Sequence, residues 1–286
     1  MLKYRLIFGT LMTIFFVGVV IFGGWLDGSI TTGTNDDKPV KATILCILIA
    51  LLAIPAQMEF AKLAKAKNLK IFLPVSIIAS ILFATAWYQL QIVKIDPLKY
   101  TFFLAAFVFG AVFLYQHIFF GTTQAIANCG VNYLSIVYIG VFSAFVLAIG
   151  VDFGTWPVLM FVLTVKASDI GAYTIGSLFG KHKFSPEISP KKTWEGLAGA
   201  IGFAIIVSFI FAKSFVIINW YMTVIFGFLM AFIGQLGDLA ESMMKRDAQQ
   251  KDSSSHVPGF GGLLDIIDSP LAAAPFAYLL FLFSLR

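Results

Sequence analysis

Charge is scarce in this chain. Only 12% of its 286 residues are Asp, Glu, Lys or Arg, and 59% are hydrophobic, where a soluble domain carries about 25% charged residues. So few polar side chains cannot cover the outside of a soluble fold, and the same numbers exclude intrinsic disorder. Cysteine is nearly absent. Cys46 and Cys129 stand far apart, in or beside apolar stretches. That excludes a disulfide framework and a thiolate metal site, and leaves both as small buried hydrophobes. What fills the chain is long apolar runs, rich in phenylalanine (31 residues) and without the alternation of a barrel strand. The chain reads as an all-α, polytopic integral membrane protein.

A spanning helix needs about 20 apolar residues. Nine runs qualify, near 6–26, 42–58, 71–90, 101–119, 133–150, 156–180, 196–213, 220–239 and 268–285. The first follows Lys3 and Arg5 as a signal peptide would, but its apolar stretch is too long and no small-residue cleavage site follows. It is expected as an uncleaved helix. Nine crossings put the termini on opposite sides. With the N-terminus in the cytoplasm, 13 of the 20 basic residues fall inside and 6, among them Lys38 and Arg286, fall outside, with Lys166 in a span. This excess predicts an N-in, C-out protein. The net charge of +5 then reports basic loops beside an anionic leaflet, and no nucleic-acid partner is expected.

The chain is uneven along its length. Residues 1–150 form helices almost free of charge and are expected as a lipid-side scaffold, whereas residues 151–286 gather charges, glycines and prolines in two long loops and the adjoining helix ends. No solenoid repeat and no inverted pair of broken helices is apparent. The chemistry is expected in the C-terminal half.

Four clusters stand out there. Lys166 and Asp169 lie in the sixth run, where either charge costs roughly 2.5–3.5 kcal/mol at the centre of a span. Three apart, they share a helix face, either as a structural ion pair or with Asp169 lining a polar cavity. The loop from Gly180 to Gly196 contains Ser189-Pro-Lys-Lys-Thr-Trp-Glu-Gly. Thr193 suits a helix cap with Glu195 in the first turn. Lys191 and Lys192 beside that helix start suit an anion, or simply a basic loop near anionic lipid. In the third cluster Asp238, Glu241, Ser242 and Lys245 fall at i, i+3, i+4 and i+7, a polar stripe on one helix face, with Arg246 following. The fourth runs from Lys251 to Asp268. Its Pro258-Gly-Phe-Gly-Gly segment, ending in Gly261 and Gly262, lets backbone N–H groups approach a phosphate. It is no P-loop, since no Gly-Lys-Ser/Thr follows. Asp265 and Asp268 can point the same way on a helical turn, and His256 is either a proton carrier, a ligand or a solvated loop residue.

Together these clusters set carboxylates beside cationic side chains at one membrane rim. Oxygen donors suit a hard cation such as Mg²⁺ and the basic residues suit a polyphosphate, which describes phosphoryl or nucleotidyl transfer to a lipid.

The segment Ser242-Met-Met-Lys-Arg, then Lys251-Asp, Pro-Gly-Phe-Gly-Gly and Asp265-Ile-Ile-Asp268, with Ser189-Pro-Lys-Lys-Thr-Trp-Glu-Gly and Gly237-Asp-Leu upstream, resembles the signature of the CDP-diacylglycerol synthases. The resemblance covers about residues 166–270. The chain departs from the family pattern at Phe260, where a His is usual, and at Ile266, where an Arg is usual. The resemblance implies condensation of CTP with phosphatidic acid, in phospholipid biosynthesis at a bacterial inner membrane, by a homodimer whose site faces the cytoplasm. It implies Mg²⁺ on Asp238 and Asp265, with Asp268 as a further ligand or neighbour, and K⁺ accompanying it. Lys245 and Arg246 join Asp238 and Asp265 as the catalytic set. Lys191 and Lys192 contact phosphates, and Ser189, Thr193, Asp169, Ser242, Lys251, Gly261 and Gly262 complete the substrate-binding set. A CTP-dependent prenyl-alcohol kinase and a transporter coupled through Lys166 and Asp169 are the alternatives.

Overall fold

A bilayer offers backbone N–H and C=O groups no partner, so apolar runs of this length fold into helices that satisfy themselves. The computed structural model describes residues 2–30, 40–254 and 261–284, excepting the side chains of residues 2–6. Lys38, His256, Phe260, Arg286 and the Pro258–Gly259 part of the glycine segment lie outside the described residues. The elements are α1 (Leu2–Asp27), α2 (Thr43–Ala66), α3 (Leu73–Ala84), α4 (Ala86–Val93), α5 (Pro97–Phe120), α6 (Ala125–Ile136), α7 (Phe142–Phe153), α8 (Thr155–Phe179), α9 (Trp194–Phe215), α10 (Trp220–Asp247) and α11 (Leu264–Ser284). A π-turn, Val137–Val141, joins α6 and α7 into one apolar rod of 29 residues. Lys183 and Thr193 form an isolated β-bridge.

Among the described residues, eight helices are long and apolar enough to span a membrane; the remaining expected run, 71–90, is not one straight helix. It breaks at Thr85 into α3 and α4, bent by 63°. Polar side chains make the break tolerable. Thr85 Oγ1 donates back to the Ile81 carbonyl (2.7 Å), and Gln89 Nε2 reaches the Leu82 carbonyl (3.1 Å). Threonine back-bonding of this kind bends helices, and the amide satisfies a carbonyl that the bend frees.

Hydrogen bonds mark two ends of the bundle. At one, Lys67 pairs with Asp247 (2.9 Å), Arg246 donates to the Ile188 carbonyl (3.2 Å) and Asn132 accepts from the Phe72 N–H (2.7 Å). At the other, Lys41 N–H bonds Gln91 (2.8 Å), Ser29 meets Thr155 (2.8 Å) and Tyr278 donates to Asp152 (2.7 Å). The α2–α3, α8–α9 and α10–α11 connections therefore share one end, the grouping that the basic residues suggested.

Inside, α7, α8, α10 and α11 bury Leu147, Phe161, Met230 and Phe281 in one core, while Phe102, Phe103 and Phe107 on α5 face outward. Cys46 and Cys129 are free and buried, as expected. Backbones approach closely where glycine permits, the usual device where lipid supplies no hydrophobic drive between helices. A Cβ on Gly171 of α8 would sit 2.5 Å from the Gly199 carbonyl of α9, and one on Gly227 of α10 would sit 2.7 Å from the Ile205 Cα.

Gly171→Val is expected to force α8 and α9 apart and destabilise the fold by about 1–3 kcal/mol. Gly202→Ala, at a helix position with nothing within 4 Å, is expected to be neutral or stabilising by up to about 1 kcal/mol. Thermal unfolding of the two variants in one detergent checks the contrast.

Candidate active site at the loop end of α10 and α11

Helix α10 carries the polar stripe to the loop end of the bundle. Asp238 there accepts from the Ser242 hydroxyl (3.2 Å) one turn on and pairs with Lys192 (2.9 Å), which also donates to the Gln235 carbonyl (2.9 Å). Glu241 is fully buried and pairs with Lys245 one turn below it (2.5 Å). The stripe read from spacing is thus a bonded row.

Helix α11 comes against it at Gly237, where a Cβ would lie 2.5 Å from the Ala272 Cβ and 3.0 Å from the Asp268 carbonyl. That approach brings buried Asp268 beside α10. Asp238, Glu241 and Asp268 each offer one carboxylate oxygen, and the three lie within 4.8 Å of one another. Asp268 also accepts from its neighbour Ser269 N–H (2.6 Å). Among the described residues, the contact of Glu241 with Lys245 is an ion pair, and its carboxylate takes no backbone N–H or hydroxyl donor. Three carboxylates so close, two of them out of water, repel strongly unless a proton or a cation among them removes charge. An oxygen-only donor set with an unsatisfied buried carboxylate fits a hard divalent ion such as Mg²⁺.

Asp265, expected to join Asp238 on the metal, stands outside that trio. It lies in the first turn of α11 and faces the preceding loop. Oδ2 accepts from Gly262 N–H (2.7 Å), Ser253 N–H (3.0 Å) and Ser253 Oγ (2.8 Å), and Oδ1 accepts from Lys245. Lys245 therefore bridges Glu241 and Asp265, linking the trio to the loop. Gly261 has φ +98 and no room for a Cβ beside Asp265 Oδ2. Only glycine suits such a position. The Gly262 N–H, expected to face a phosphate, is bonded to Asp265 here.

The other expected residues are distributed around this centre. Lys166 pairs with Asp169 (3.2 Å) and donates to the Ile266 carbonyl (2.6 Å), and the Ser269 hydroxyl reaches Asp169 (3.4 Å). The pair thus ties α8 to α11, and the carbonyl that takes Lys166 belongs to the position where an Arg was expected. Thr193 caps α9 by accepting from Gly196 N–H (3.1 Å), as its place before the helix suggested. Its loop is fastened by Glu195, which accepts from the Lys181 N–H (3.1 Å) and meets the His182 ring (2.6 Å). Ser189 turns the loop, accepting from Lys192 N–H (3.1 Å). Lys191 and Lys251 are exposed, and Arg246 holds the Ile188 carbonyl.

Three residues were missed. Glu241 was visible only as part of the stripe. Tyr138, on the π-turn, is buried within electrostatic reach of Asp268, Glu241, Asp238 and Asp265, and its hydroxyl has no hydrogen-bond partner among the described residues. Glu59, on α2, is buried against Ser253, Ser254, Leu263 and Leu264. Its signal was a lone acid in an apolar run, which in a span marks a function by default. The N-terminal half therefore takes part in the site.

Residues 3–284 match the profile of the Cytidylyltransferase family. The chain belongs to that family. It is 40% identical over 157 residues to the phosphatidate cytidylyltransferase of Mycobacterium bovis, covering 52% of this chain and 51% of that protein. It is 43% identical over 156 residues to the Bacillus subtilis phosphatidate cytidylyltransferase (53% and 58%) and 42% identical over 128 residues to that of Haemophilus influenzae (43% and 44%). The chain spans about half the length of the curated relatives it matches.

Mn²⁺, titrated alone and followed by electron paramagnetic resonance, is expected to bind the wild-type protein. Affinity should fall by more than about tenfold in Glu241→Gln and Asp268→Asn. It should persist in Lys67→Ala, whose exposed ion pair lies at the same end of the bundle. Equal binding in all four proteins would remove the metal from the trio.

Proposed function

We propose that this chain condenses CTP with phosphatidic acid to give CDP-diacylglycerol and pyrophosphate, with Mg²⁺, at the cytoplasmic face of a bacterial inner membrane. The observation that carries the reading is the trio Asp238, Glu241 and Asp268 flanked by Lys192 and Lys245, in a cytidylyltransferase-family chain. An oxygen of the lipid phosphate attacks the α-phosphorus of CTP. The bond to the β-phosphate breaks, and its electron pair leaves with pyrophosphate. Two polyanions must meet, so the protein's work is alignment and charge neutralisation, and no Ser or Cys nucleophile is needed.

In this reading Asp238, Glu241 and Asp268 hold Mg²⁺, which when bound neutralises phosphate charge and stabilises the departing pyrophosphate. Lys192 and Lys245, seated on carboxylates, hold the acids in place and lend positive charge to the phosphates. Asp265 fixes Lys245 and the Gly261–Gly262 turn. Lys191, exposed on the α8–α9 loop, and Arg246, in the last turn of α10 with its Nε on the Ile188 carbonyl, are the further cations at this end that incoming phosphate would meet. Sidedness rests on the excess of basic residues at the end that carries the acids, and a homodimer rests on the resemblance to the CDP-diacylglycerol synthases.

Purified protein given α-labelled CTP and phosphatidic acid is expected to yield a CMP-bearing lipid and pyrophosphate. Asp238→Asn and Asp265→Asn should each lower kcat by more than about a hundredfold while the protein still assembles in the membrane. Release of CDP with a phosphorylated alcohol would mean a kinase instead, and substrate flux into proteoliposomes without CTP turnover would mean a transporter.

A further inference from the structure

Glu59 sits in the scaffold half of the chain, yet among the described residues its carboxylate gathers four donors from the other half. Oε2 accepts from Ser253 Oγ (3.1 Å) and Leu264 N–H (2.9 Å); Oε1 accepts from Ser254 Oγ (2.9 Å) and Leu263 N–H (3.0 Å). The residue is 3% exposed. We propose that Glu59 is a positioning residue for the transfer reaction, setting the start of α11, and with it Asp265 and Asp268, against α10. The inference rests on the nucleotidyl-transfer reading above.

Helix α11 lacks a cap of its own. The residues before it, Gly261-Gly262-Leu263, carry no side-chain acceptor, and the N–H groups that open a helix need one. Glu59 supplies that acceptor from another helix, and a negative charge suits the positive end of the helix dipole. The start of α11 is therefore placed by α2 rather than by its own sequence. Ser253 joins the two acids, since its hydroxyl lies within reach of both Glu59 Oε2 (3.1 Å) and Asp265 Oδ2 (2.8 Å) and they share its one proton. Gly262 is part of the same fit: a Cβ there would run into Ser253 Oγ and Glu59 Oε2. From Asp265 the bonds continue through Lys245 to Glu241. A shift of the α11 start would move Asp265 at once and Asp268 one turn later.

Glu59→Gln keeps the shape of the side chain and replaces one acceptor oxygen with a donor that faces two other donors. In the full-length protein, kcat for CTP and phosphatidic acid is expected to fall by about a hundredfold, with both KM values within about twofold. Hydrogen–deuterium exchange of the peptide containing Leu263 and Leu264 is expected to quicken by at least about tenfold, while peptides from α8 and α9 stay unchanged. If Glu59→Gln does not assemble, Glu59→Asp, which keeps both acceptor oxygens on a shorter arm, takes its place with the same outcomes on a smaller scale. An unchanged kcat, a change confined to KM, unchanged exchange at Leu263 and Leu264, or loosening spread across all helices overturns the proposal. The exchange readout needs no turnover. A wild-type protein that makes no CMP-lipid therefore sinks the reaction assigned above, while unchanged exchange sinks the role of Glu59.

Discussion

Like charges packed together at the edge of an apolar medium set the terms for this protein. Asp238, Glu241 and Asp268 bring three oxygens within 4.8 Å, and in low dielectric that arrangement persists only when protons or cations offset its charge. Lysines supply the outer part of the answer. Lys192 sits on Asp238, Lys245 lies between Glu241 and Asp265, and Lys166 sits on Asp169. A divalent ion and the phosphates it attracts would complete the balance at the centre. In the proposed reaction, the same alternation of sign that holds the acids together would suit polyanionic substrates.

The rest of the molecule can be understood as what brings these charges into register. Glycines at 171, 199, 227 and 237 let α8, α9, α10 and α11 approach to backbone distance, and Gly237 in particular admits the turn of α11 that carries Asp268. The α8–α9 loop, pinned by Thr193 and Glu195, delivers Lys192 to Asp238. Away from this end the chain needs only to be apolar outside and well packed inside.

Much of this was legible in the residues. Composition fixed the class, and the stripe Asp238, Glu241, Ser242 and Lys245 followed from helical spacing. Thr193 was readable as a cap because capping is local. What depended on a partner in another helix was not readable. Asp265 and Asp268 are three apart and were expected to act together, yet Asp265 lies at the helix start, where loop N–H groups and Lys245 claim it, and Asp268 faces α10. Glu241 seemed one charge among several at a helix end, since nothing in the sequence says that Gly237 lets α11 close over it. The break at Thr85 was hidden in a continuous apolar run, because the groups that relieve it, Thr85 and Gln89, are common in any helix. Tyr138 comes from a stretch without a motif and its nearness to the acids is purely spatial, while Glu59 offered only its place as an acid in an apolar helix and its partners are visible only in the fold.

The central claim is that one divalent ion is shared by Asp238, Glu241 and Asp268. Anomalous diffraction from Mn²⁺-soaked crystals tests it most directly. A peak about 2.1 Å from one oxygen of each of the three carboxylates, with Asp265 still on Lys245, is the predicted result. A peak bound by Asp265, or a lysine ammonium filling the space between the three acids, would contradict it.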